Sequence, residues 1–340
     1  MTRISDVARR AGVSTATASR VLSGVAYVSE ELRERVLRAV KDLDYSPDGI
    51  ARSMSQRRTL TLGLVVSDIT NPFFTAVSRG VEDTGQKSGY SVVLCNTDED
   101  VEKERGYLRV LREKRVDGIL LTTAGREGGH IQRLVEAGTK LVLIDRSIPG
   151  LSVPSVQVDN FGGVHRATEY LLNLGHRRIG IVTGRLSVST ADERLRGYEG
   201  ALAAATVQLD PSLIVSGHFT EEGGHEAGRN LLSRSHRPTA VISCNNFMTT
   251  GLLVALREGG SRVPEDVSVI SFDDLPYFAL LDHPVTVISQ PMYDLGRSAC
   301  ELLLRLITGE LSPSSSKAHI RLPTGLVIRE SCRRVDSQNE

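Results

Sequence analysis

The strongest constraint on the fold is an alternation of two patterns that begins near residue 60. From there on, short runs rich in β-branched residues alternate with longer amphipathic segments such as Phe74–Ser88, Val101–Arg115 and Phe161–Leu174. Strand–helix alternation predicts parallel β-sheet with helices packed against it, an α/β fold. The predicted strands are Leu60–Val66, Ser91–Asn96, Gly118–Thr122, Leu141–Ile144, Ser155–Val158, Arg178–Val182, Ala240–Ser243, Val267–Phe272 and Thr286–Ser289. Because so many strands exceed one ordinary sheet, we expect two similar lobes.

The first 45 residues follow a different pattern, with three short helices and no strand. Ile4–Ala11 has apolar residues at helical spacing and stops at Gly12, which suits the end of a helix. Ser14 can cap a second helix that runs to about Leu22, and Glu30–Leu43 forms a third. The three-residue turn between the first two helices is typical of a helix-turn-helix. We therefore expect a small all-α head.

The distribution of charge agrees with a nucleic-acid-binding head. The whole chain is neutral, with 41 Lys and Arg against 41 Asp and Glu. Residues 1–60 nevertheless hold 11 basic and 7 acidic residues, a net of +4, so the remainder carries −4. A basic end piece on an acidic body is the asymmetry that many DNA-binding proteins show.

The remaining composition excludes several other classes of protein. Four distant cysteines, Cys95, Cys244, Cys300 and Cys332, suit neither a disulfide framework nor a zinc site. The N-terminus has no signal-peptide pattern and no apolar run approaches membrane length, so we expect a cytoplasmic protein without a membrane partner. The sequence has no motif for nucleotide cofactors, zinc hydrolysis or serine hydrolysis. We therefore expect that the protein is not an enzyme and binds no cofactor or metal.

Eight stretches of sequence, taken in order, resemble one known family. They are ISDVARRAGVSTATASRVLSG, VSEELRERVLRAVKDLDYSPDGIARSM, VVSDITNPFF, RVDGILL, LGHRRIGIVTG, ERLRGYEGAL, VPEDVSVISFDD and LPTGLVIRES. Together they make the chain similar to the LacI/GalR family of bacterial transcription regulators over essentially its full length. The resemblance implies a periplasmic-binding-protein-like core, with two Rossmann-like lobes joined by crossovers near 159–162, near 289–291 and shortly after residue 320.

The resemblance also divides the chain into segments. We expect a helix-turn-helix domain at 1–46, a hinge helix or linker at 47–60, an effector-binding and dimerisation core at 61–330, and a polar tail at 331–340. Within the core, the first lobe is expected to comprise about 61–160 and 291–322, and the second about 161–290 and 323–330.

The second helix of the head carries the first set of candidate DNA contacts. Ala18 and Val21 lie on the side that packs against the other helices, which leaves a polar face for the major groove. Arg20 can donate a fork of hydrogen bonds to a guanine edge or a phosphate. By resemblance, Thr15 and Ala16 occupy the positions that select the operator base. The predicted DNA contacts from this segment are Ser14, Thr15, Ala16, Thr17, Ser19 and Arg20. The alternative is a face that is simply solvated.

The segment after the head supplies the second set of candidate DNA contacts. Ile50 and Met54 are one helical turn apart and could form an apolar wedge that kinks DNA from the minor groove. The family's hinge helix has a Leu at the position of Met54. Gly49 weakens the helix propensity, so we expect this segment to fold only on DNA. Arg52 and Arg57 are predicted to contact phosphates. The alternative is a linker without a role in DNA binding.

Candidate effector contacts follow the strands of the core, since ligands of doubly wound sheets bind beyond the carboxyl ends of the strands. By resemblance, Phe73, Phe74 and Phe219 are ring-stacking positions. A carboxylate at Asp273 can accept hydroxyl hydrogen bonds, and Arg194 is a candidate bidentate donor. The predicted effector contacts are Phe73, Phe74, Thr122, Arg146, Asp159, Phe161, Arg194, Phe219, Asn245, Asp273 and Gln290.

Three of these positions carry a specific expectation or an alternative. Asn245 offers both a donor and an acceptor, and Gln290 lies on a predicted crossover where it could report lobe closure. Arg146 could instead form an internal salt bridge with Asp145. Asn246 stands where the family often has Asp.

The candidate contacts also indicate the class of effector. Aromatic platforms beside Asp and Arg favour a sugar or sugar derivative, with a purine or nucleoside as the second choice. The few basic residues in these loops disfavour a phosphosugar.

These predictions combine into one regulatory mechanism. We expect a homodimeric repressor whose two heads bind a pseudo-palindromic site on double-stranded DNA. An effector bound between the lobes would change operator affinity, while the sign of that change stays open. The tail has no Leu heptad, so a dimer is favoured over a tetramer. A sugar-binding transport protein is the main rival without a DNA role, and the helical head at residues 1–60 argues against it.

Overall fold

The computed structural model describes residues 2–23, 28–45 and 58–335. The chain divides near residue 61 into two compact units, a small N-terminal head and a much larger core.

The head consists of three helices around a core of small side chains. Helices α1 (Ile4–Ala11), α2 (Thr15–Ser23) and α3 (Glu30–Asp42) form close to where the sequence predicts them. Gly12 ends α1 in the left-handed conformation, with φ of 65°. Arg35 from α3 donates to the carbonyl of Ala11 at 2.7 Å and so fixes the end of α1. The buried core is Val7, Ala8, Ala11, Ala18, Val21, Val36 and Ala39.

The first sheet of the core belongs to one lobe. Its strands are β1 (Thr61–Val66), β2 (Ser91–Asn96), β3 (Gly118–Leu121), β4 (Leu141–Ile144), β5 (Ser155–Val158) and β11 (His319–Leu322), in the order β11-β5-β4-β3-β1-β2. The helices of this lobe are α4 (Pro72–Lys87), α5 (Val101–Glu113), α6 (Gly129–Glu136) and α11 (Met292–Thr308). The strands from β11 through β1 pair in parallel, and the central ones are fully buried runs of Leu, Ile and Val.

The second sheet repeats this plan in the other lobe. Its strands are β6 (Ile179–Thr183), β7 (Ile214–Ser216), β8 (Ala240–Ser243), β9 (Ser268–Phe272), β10 (Thr286–Ser289) and β12 (Gly325–Val327), in the order β12-β10-β9-β8-β6-β7. The helices are α7 (Asn160–Asn173), α8 (Ser189–Ala204), α9 (Glu221–Leu232) and α10 (Asn246–Glu258). Only the pairing of β12 with β10 is antiparallel among the described pairs of this sheet.

The chain passes between the two sheets three times, after Val158, after Ser289 and after Leu322. The predicted fold class, an all-α head with a core of two parallel-sheet lobes, is confirmed. All nine predicted strands form, within two residues at each end. The sequence prediction missed β7, β11 and β12 because these strands are short, lie at sheet edges and have no fully buried residue.

Residues 331–335, which the sequence prediction assigns to the polar tail, are hydrogen-bonded to the second lobe. The Ser331 hydroxyl is buried, accepts a hydrogen bond from the Thr286 N–H at 2.8 Å and donates to the Val269 carbonyl at 2.6 Å. The Val335 N–H donates to the Leu174 carbonyl at 2.8 Å. Residues 331–335 therefore pack on the second lobe through hydrogen bonds, which an apolar pattern does not reveal, and their assignment to a tail is wrong.

Helices α4 and α11 pack with their backbones almost in contact. A β-carbon added to Gly80 would lie 2.1 Å from the Tyr293 carbonyl oxygen, and one added to Gly296 would lie 2.0 Å from the Val77 carbonyl oxygen. No side chain fits at either position unless the helices separate. This close approach positions the start of α4, which carries part of the site described below.

We predict that Gly80→Ala destabilises the core by about 1–3 kcal/mol or more because the added methyl group forces the two helices apart. Gly106→Ala is the matched control, since Gly106 lies inside α5 and its added β-carbon meets nothing within 4 Å. That variant should gain up to about 1 kcal/mol from helix propensity. Thermal and urea unfolding of the two variants measure both effects, and a Gly80→Ala protein as stable as Gly106→Ala would contradict the packing argument.

Candidate functional site

A cavity of about 580 Å³ lies between the two lobes, at the carboxyl ends of both sheets. Parallel strands bring their carboxyl ends to one edge, so the loops that follow them converge there. The lining residues come from both lobes and are Asp68, Thr70, Asn71, Phe73, Phe74, Asp98, Glu99, Asp145, Arg146, Arg185, Thr190, Arg194, His218, Phe219, Thr220, Asn245, Asp273 and Gln290.

The loops of this cavity hold an unusual backbone conformation. Ten described non-glycine residues have positive φ, and six of them line the cavity: Asp98, Glu99, Asp145, His218, Phe219 and Asp273. Such residues cost conformational energy and persist only where the surrounding contacts impose them. The loops are therefore rigidly shaped by the fold rather than by their own sequence.

Both lobes contribute aromatic rings to the lining of the cavity. Phe73 and Phe74 begin α4, where the Asn71 side chain caps the helix by accepting from the Phe73 N–H at 2.9 Å. The two rings meet edge to face with centroids 4.8 Å apart. Phe219 comes from the loop after β7 in the other lobe, and the Arg146 guanidinium lies 5.8 Å from its ring centroid. These rings provide apolar walls for a small ligand.

Glu99 is the centre of a charge network that spans the lobes. Arg146 binds its carboxylate with two hydrogen bonds of 2.6 and 2.7 Å, and Arg185 of the second lobe reaches it at 2.9 Å. Burial by itself would raise the pKa of Glu99, but the two guanidinium groups outweigh it and hold the pKa below its usual value. The alternative pairing of Arg146 with Asp145 is secondary, because that contact is 3.8 Å long.

Two oxygen atoms in the wall have no hydrogen-bond partner among the described residues. They are Oδ1 of Asp145 and Oε1 of Gln290. Burial raises the pKa of Asp145 to about 6, against the attraction of Arg146 and Arg194. Burial also raises the pKa of Asp273, which accepts a hydrogen bond from the Gln290 amide. Asp145, Asp273 and Gln290 therefore bring carboxylate and amide groups to the lining of the cavity, with most of each side chain buried.

The predicted polar contacts Arg194 and Asn245 are already engaged within the protein. Arg194 donates to the Asn160 side chain at 2.8 Å and to the Cys244 carbonyl at 2.5 Å, and its guanidinium lies 3.6 Å from the centroid of Phe272. The Asn245 amide caps α10 by accepting from Met248 N–H and donates to the Phe219 carbonyl. These bonds fix both side chains at the cavity wall and limit the hydrogen bonds they can offer to a ligand.

The head presents a polar helix face. The Ser14 hydroxyl caps α2 by accepting from the Thr17 N–H at 3.1 Å, as the sequence predicts. Thr15, Ala16, Ser19 and Arg20 are exposed, whereas Ala18 and Val21 are buried against the other helices. The predicted division of α2 into a packed and an exposed face is therefore observed, while contact with DNA remains a prediction.

Both parts of the chain match the same family. Residues 3–48 match the bacterial regulatory proteins of the lacI family, and residues 59–325 match the periplasmic binding proteins and sugar binding domain of the LacI family. The chain belongs to the LacI family.

Relatives in this family match over nearly the whole chain. The ribose operon repressor of Haemophilus influenzae is 38% identical over 97% of this chain and 98% of its own length. Among solved structures, the transcriptional regulator CelR in complex with cellobiose is 36% identical, covers 97% of this chain and 100% of that one, and has a TM-score of 0.73. The lac repressor dimer bound to operator and the anti-inducer ONPF is 27% identical, covers 98% and 99% of the two chains, and has a TM-score of 0.87.

Membership confirms the predicted class of function. A LacI-family protein is a transcription regulator with a DNA-binding head and an effector-binding core, and it is not an enzyme. Within the described part of the chain, no helix has the length and apolar character that crossing a membrane requires.

The structure brings most of the predicted effector contacts to one cavity. Those that line it are Phe73, Phe74, Arg146, Arg194, Phe219, Asn245, Asp273 and Gln290. Their role in binding remains a prediction of the LacI-family resemblance. Sequence reasoning took at most two residues from each loop. It therefore missed Asp68, Glu99 and Arg185, although each lies within three residues of the end of a strand.

Three predicted contacts do not line the cavity. The Thr122 side chain is buried behind the cavity wall after β3. Asp159 caps α7 by accepting from the Gly162 N–H at 2.9 Å and pairs with Arg166. Phe161 lies on an exposed part of α7, where its ring stacks on His165 with centroids 5.7 Å apart. Asp159 and Phe161 do not line the cavity because the chain enters helix α7 at this crossover.

The predicted hinge contacts Ile50, Arg52, Met54 and Arg57 lie outside the described residues. They stay predictions from the sequence and the LacI-family resemblance.

We predict that Asp145→Asn stabilises the core at pH 7 but not at pH 4. A raised pKa means that the folded protein favours the protonated carboxyl, so this contribution is complete below the unfolded pKa of 3.8 and is lost as pH rises through about 6. Asparagine removes the buried charge, so the melting temperature should rise by several degrees at pH 7 and match wild type near pH 4.

The matched control for that experiment is Asp282→Asn, which makes the same chemical change at an exposed position. Its melting temperature should differ from wild type by less than a degree or two at both pH values. A pH-independent stabilisation by Asp145→Asn would show that the gain does not come from the buried charge.

Proposed function

We propose that this protein is a cytoplasmic, operator-binding repressor that acts as a homodimer and is controlled by a small neutral sugar bound between its lobes. The observation that carries the proposal is the composition of one cavity, which aromatic side chains from both lobes line together with carboxylate and amide side chains. Sugars present an apolar ring face and several hydroxyl donors, which this combination complements.

The charges around the cavity favour a neutral ligand over an anionic one. Five acidic side chains, Asp68, Asp98, Glu99, Asp145 and Asp273, line it against three arginines. Two of those arginines, Arg146 and Arg185, already neutralise Glu99. A phosphosugar would bring further negative charge close to these five acidic side chains.

The size of the cavity and the relatives narrow the choice of sugar. A cavity of about 580 Å³ is within the usual range for small-molecule sites. A similar protein is called a ribose operon repressor, and a similar structure holds cellobiose. We favour a monosaccharide of the ribose type, because a relative that is 38% identical is called a ribose operon repressor and Asp145, Asp273 and Gln290 bring polar side chains to the cavity lining.

The proposed DNA contacts lie on the exposed face of α2. Arg20 would bind a base edge or phosphate, Thr15 and Ala16 would select the base pair, and Ser14, Thr17 and Ser19 would bind phosphates. A similar repressor binds its operator as a dimer. Two such heads on a pseudo-palindromic site are the arrangement we propose here.

Exposed apolar residues on both lobes support a homodimer. Val93 and Leu94 are 44% exposed on β2, the edge strand of the first sheet. Leu280 is 82% exposed and Leu281 is 41% exposed on the second lobe. Large exposed aliphatic side chains at a sheet edge are unfavourable unless a partner covers them. We propose that a second copy of the chain does so on both lobes, so that a movement of one lobe against the other changes the dimer and thereby operator affinity.

We predict that D-ribose raises the melting temperature of the wild-type protein, whereas Asp273→Asn reduces this shift at least severalfold. The substitution removes a charged acceptor from the cavity wall and leaves the surface unchanged. Thermal-shift measurements should include cellobiose, ribose 5-phosphate and guanine as competitors, with Asp282→Asn as the control. A shift by guanine alone would favour a purine effector, and an undiminished ribose shift in Asp273→Asn would show that the sugar binds elsewhere.

We predict that Arg20→Ala weakens binding to the upstream region of the gene itself by at least about tenfold and lowers the discrimination against unrelated DNA. Arg38→Ala removes the same charge from an exposed position on α3 and serves as the control for general electrostatic attraction. Fluorescence anisotropy at several salt concentrations separates the two effects. Equal losses in both variants would contradict a base-reading role for Arg20.

A further inference from the structure

The two lobes meet at a pair of asparagine side chains that lies beside the cavity. Asn71 caps α4 in the first lobe, and Asn246 is the first residue of α10 in the second. Asn71 Nδ2 donates to Asn246 Oδ1 at 3.1 Å, and Asn246 Nδ2 donates to Asn71 Oδ1 at 2.8 Å. Both residues are buried, with 7% and 0% of their surface exposed. The pair therefore forms two reciprocal hydrogen bonds across the cleft.

The orientation of each amide group follows from its own backbone. Asn71 Oδ1 also accepts from the Phe73 N–H at 2.9 Å, and Asn246 Oδ1 accepts from the Phe247 N–H at 2.6 Å. Each oxygen is thus directed at its own helix start, which leaves each amide nitrogen directed at the other lobe. Helix starts hold these side chains in place, so little side-chain freedom is lost when the lobes meet.

Asn246 also connects this contact to the cavity. Its backbone N–H donates to the Asp273 carboxylate, and the Gln290 amide on the second crossover donates to the same carboxylate. Asn71 precedes Phe73 and Phe74, whose rings line the opposite wall. The pair therefore ties together the two walls between which an effector would lie.

Other contacts between the lobes are more exposed or less direct. Arg126 and Asp192 lie 3.7 Å apart on the surface, whereas Arg185 shares the Glu99 carboxylate with Arg146 of the first lobe. Exposed ion pairs contribute little because water and salt screen them. A buried pair of neutral amides is not screened, and loss of one partner leaves the other buried without a hydrogen bond.

We propose that Asn71 and Asn246 form an interlobe latch that stabilises the closed arrangement of the core, and that Asn246 is a positioning residue for Asp273. The latch uses only groups of the chain itself. It supplies part of the closure free energy that an effector would otherwise have to provide, and it thereby sets the apparent effector affinity. The effect on effector affinity and the role of Asn246 toward Asp273 rest on the proposed sugar site, whereas the latch itself does not.

The test uses acceptor-only substitutions in the full-length protein. Asn71→Asp keeps the cap on α4 and one interlobe hydrogen bond. Asn246→Asp is also compatible with the helix, because Asn246 is the first residue of α10 and a carboxylate is favourable at a helix N-terminus. The double variant Asn71→Asp/Asn246→Asp places two carboxylates face to face with no donor between them. We expect it to open the lobes, whereas Asn71→Asp alone should have a smaller effect. Asn230→Asp, which makes the same change on the exposed face of α9, is the control.

Two readouts separate the latch from a merely structural role. Small-angle X-ray scattering should give a larger radius of gyration for the double variant, with faster amide hydrogen exchange at the starts of α4 and α10 only. Isothermal titration with D-ribose should give at least about tenfold weaker binding, while Asn230→Asp matches wild type. Asn71→Ser keeps a capping hydroxyl that is too short to cross the cleft, and provides the same test without a buried charge.

The outcomes distinguish the latch from the effector assignment. If the wild type does not bind ribose but the variants still show opening by scattering, the sugar proposal fails and the latch stands. If both the double variant and Asn71→Ser give wild-type scattering, exchange and ribose affinity within twofold, the latch proposal is wrong.

Discussion

The structure depends on the direction of its strands. All described strand pairs of the two sheets are parallel except that of β12 with β10, so the carboxyl ends of the parallel strands, and the loops that follow them, lie at one edge of each sheet. The three crossovers turn these two edges toward each other. Residues that are far apart in the chain, such as Phe73, Arg194 and Asp273, therefore reach one cavity. This cavity is where loops from both sheets meet, and the carboxyl ends of parallel strands are where ligands of such sheets bind.

The cleft places charged groups where water has little access, and the protein compensates for this in two ways. Glu99 is neutralised by Arg146 and Arg185, so its charge is stabilised. Asp145 and Asp273 are less well compensated, and burial raises their pKa values. A ligand with hydroxyl donors would satisfy these carboxylates. In the proposed function, the same groups that destabilise the folded core would contribute affinity for an effector, a relationship common at binding sites.

Sequence reasoning was accurate where the signal is local. Buried parallel strands are continuous apolar runs, helix starts carry Ser, Asn or Asp caps, and Gly12 marks the end of α1, so most elements were found. It failed where partners distant in sequence decide the structure. The strand β11 is only half buried and gains its stability from pairing with β5, and Ser331 is held by residues on β9 and β10. Asp159 and Phe161 were misplaced for a related reason, since a crossover residue can cap a helix or line a cavity with the same local sequence.

By itself, the sequence determined that this protein is a helix-turn-helix regulator with a two-lobed α/β core, because periodicity, capping and family motifs are properties of short segments. It also indicated which loops reach the cleft, although not which side chains of those loops face it. Only the tertiary structure decided that Arg146 pairs with Glu99 rather than mainly with Asp145, and that Asn246 faces Asn71 across 175 positions of the chain. The reason is physical: a buried polar group takes the partner that the fold brings within hydrogen-bonding distance, and local sequence does not contain that distance.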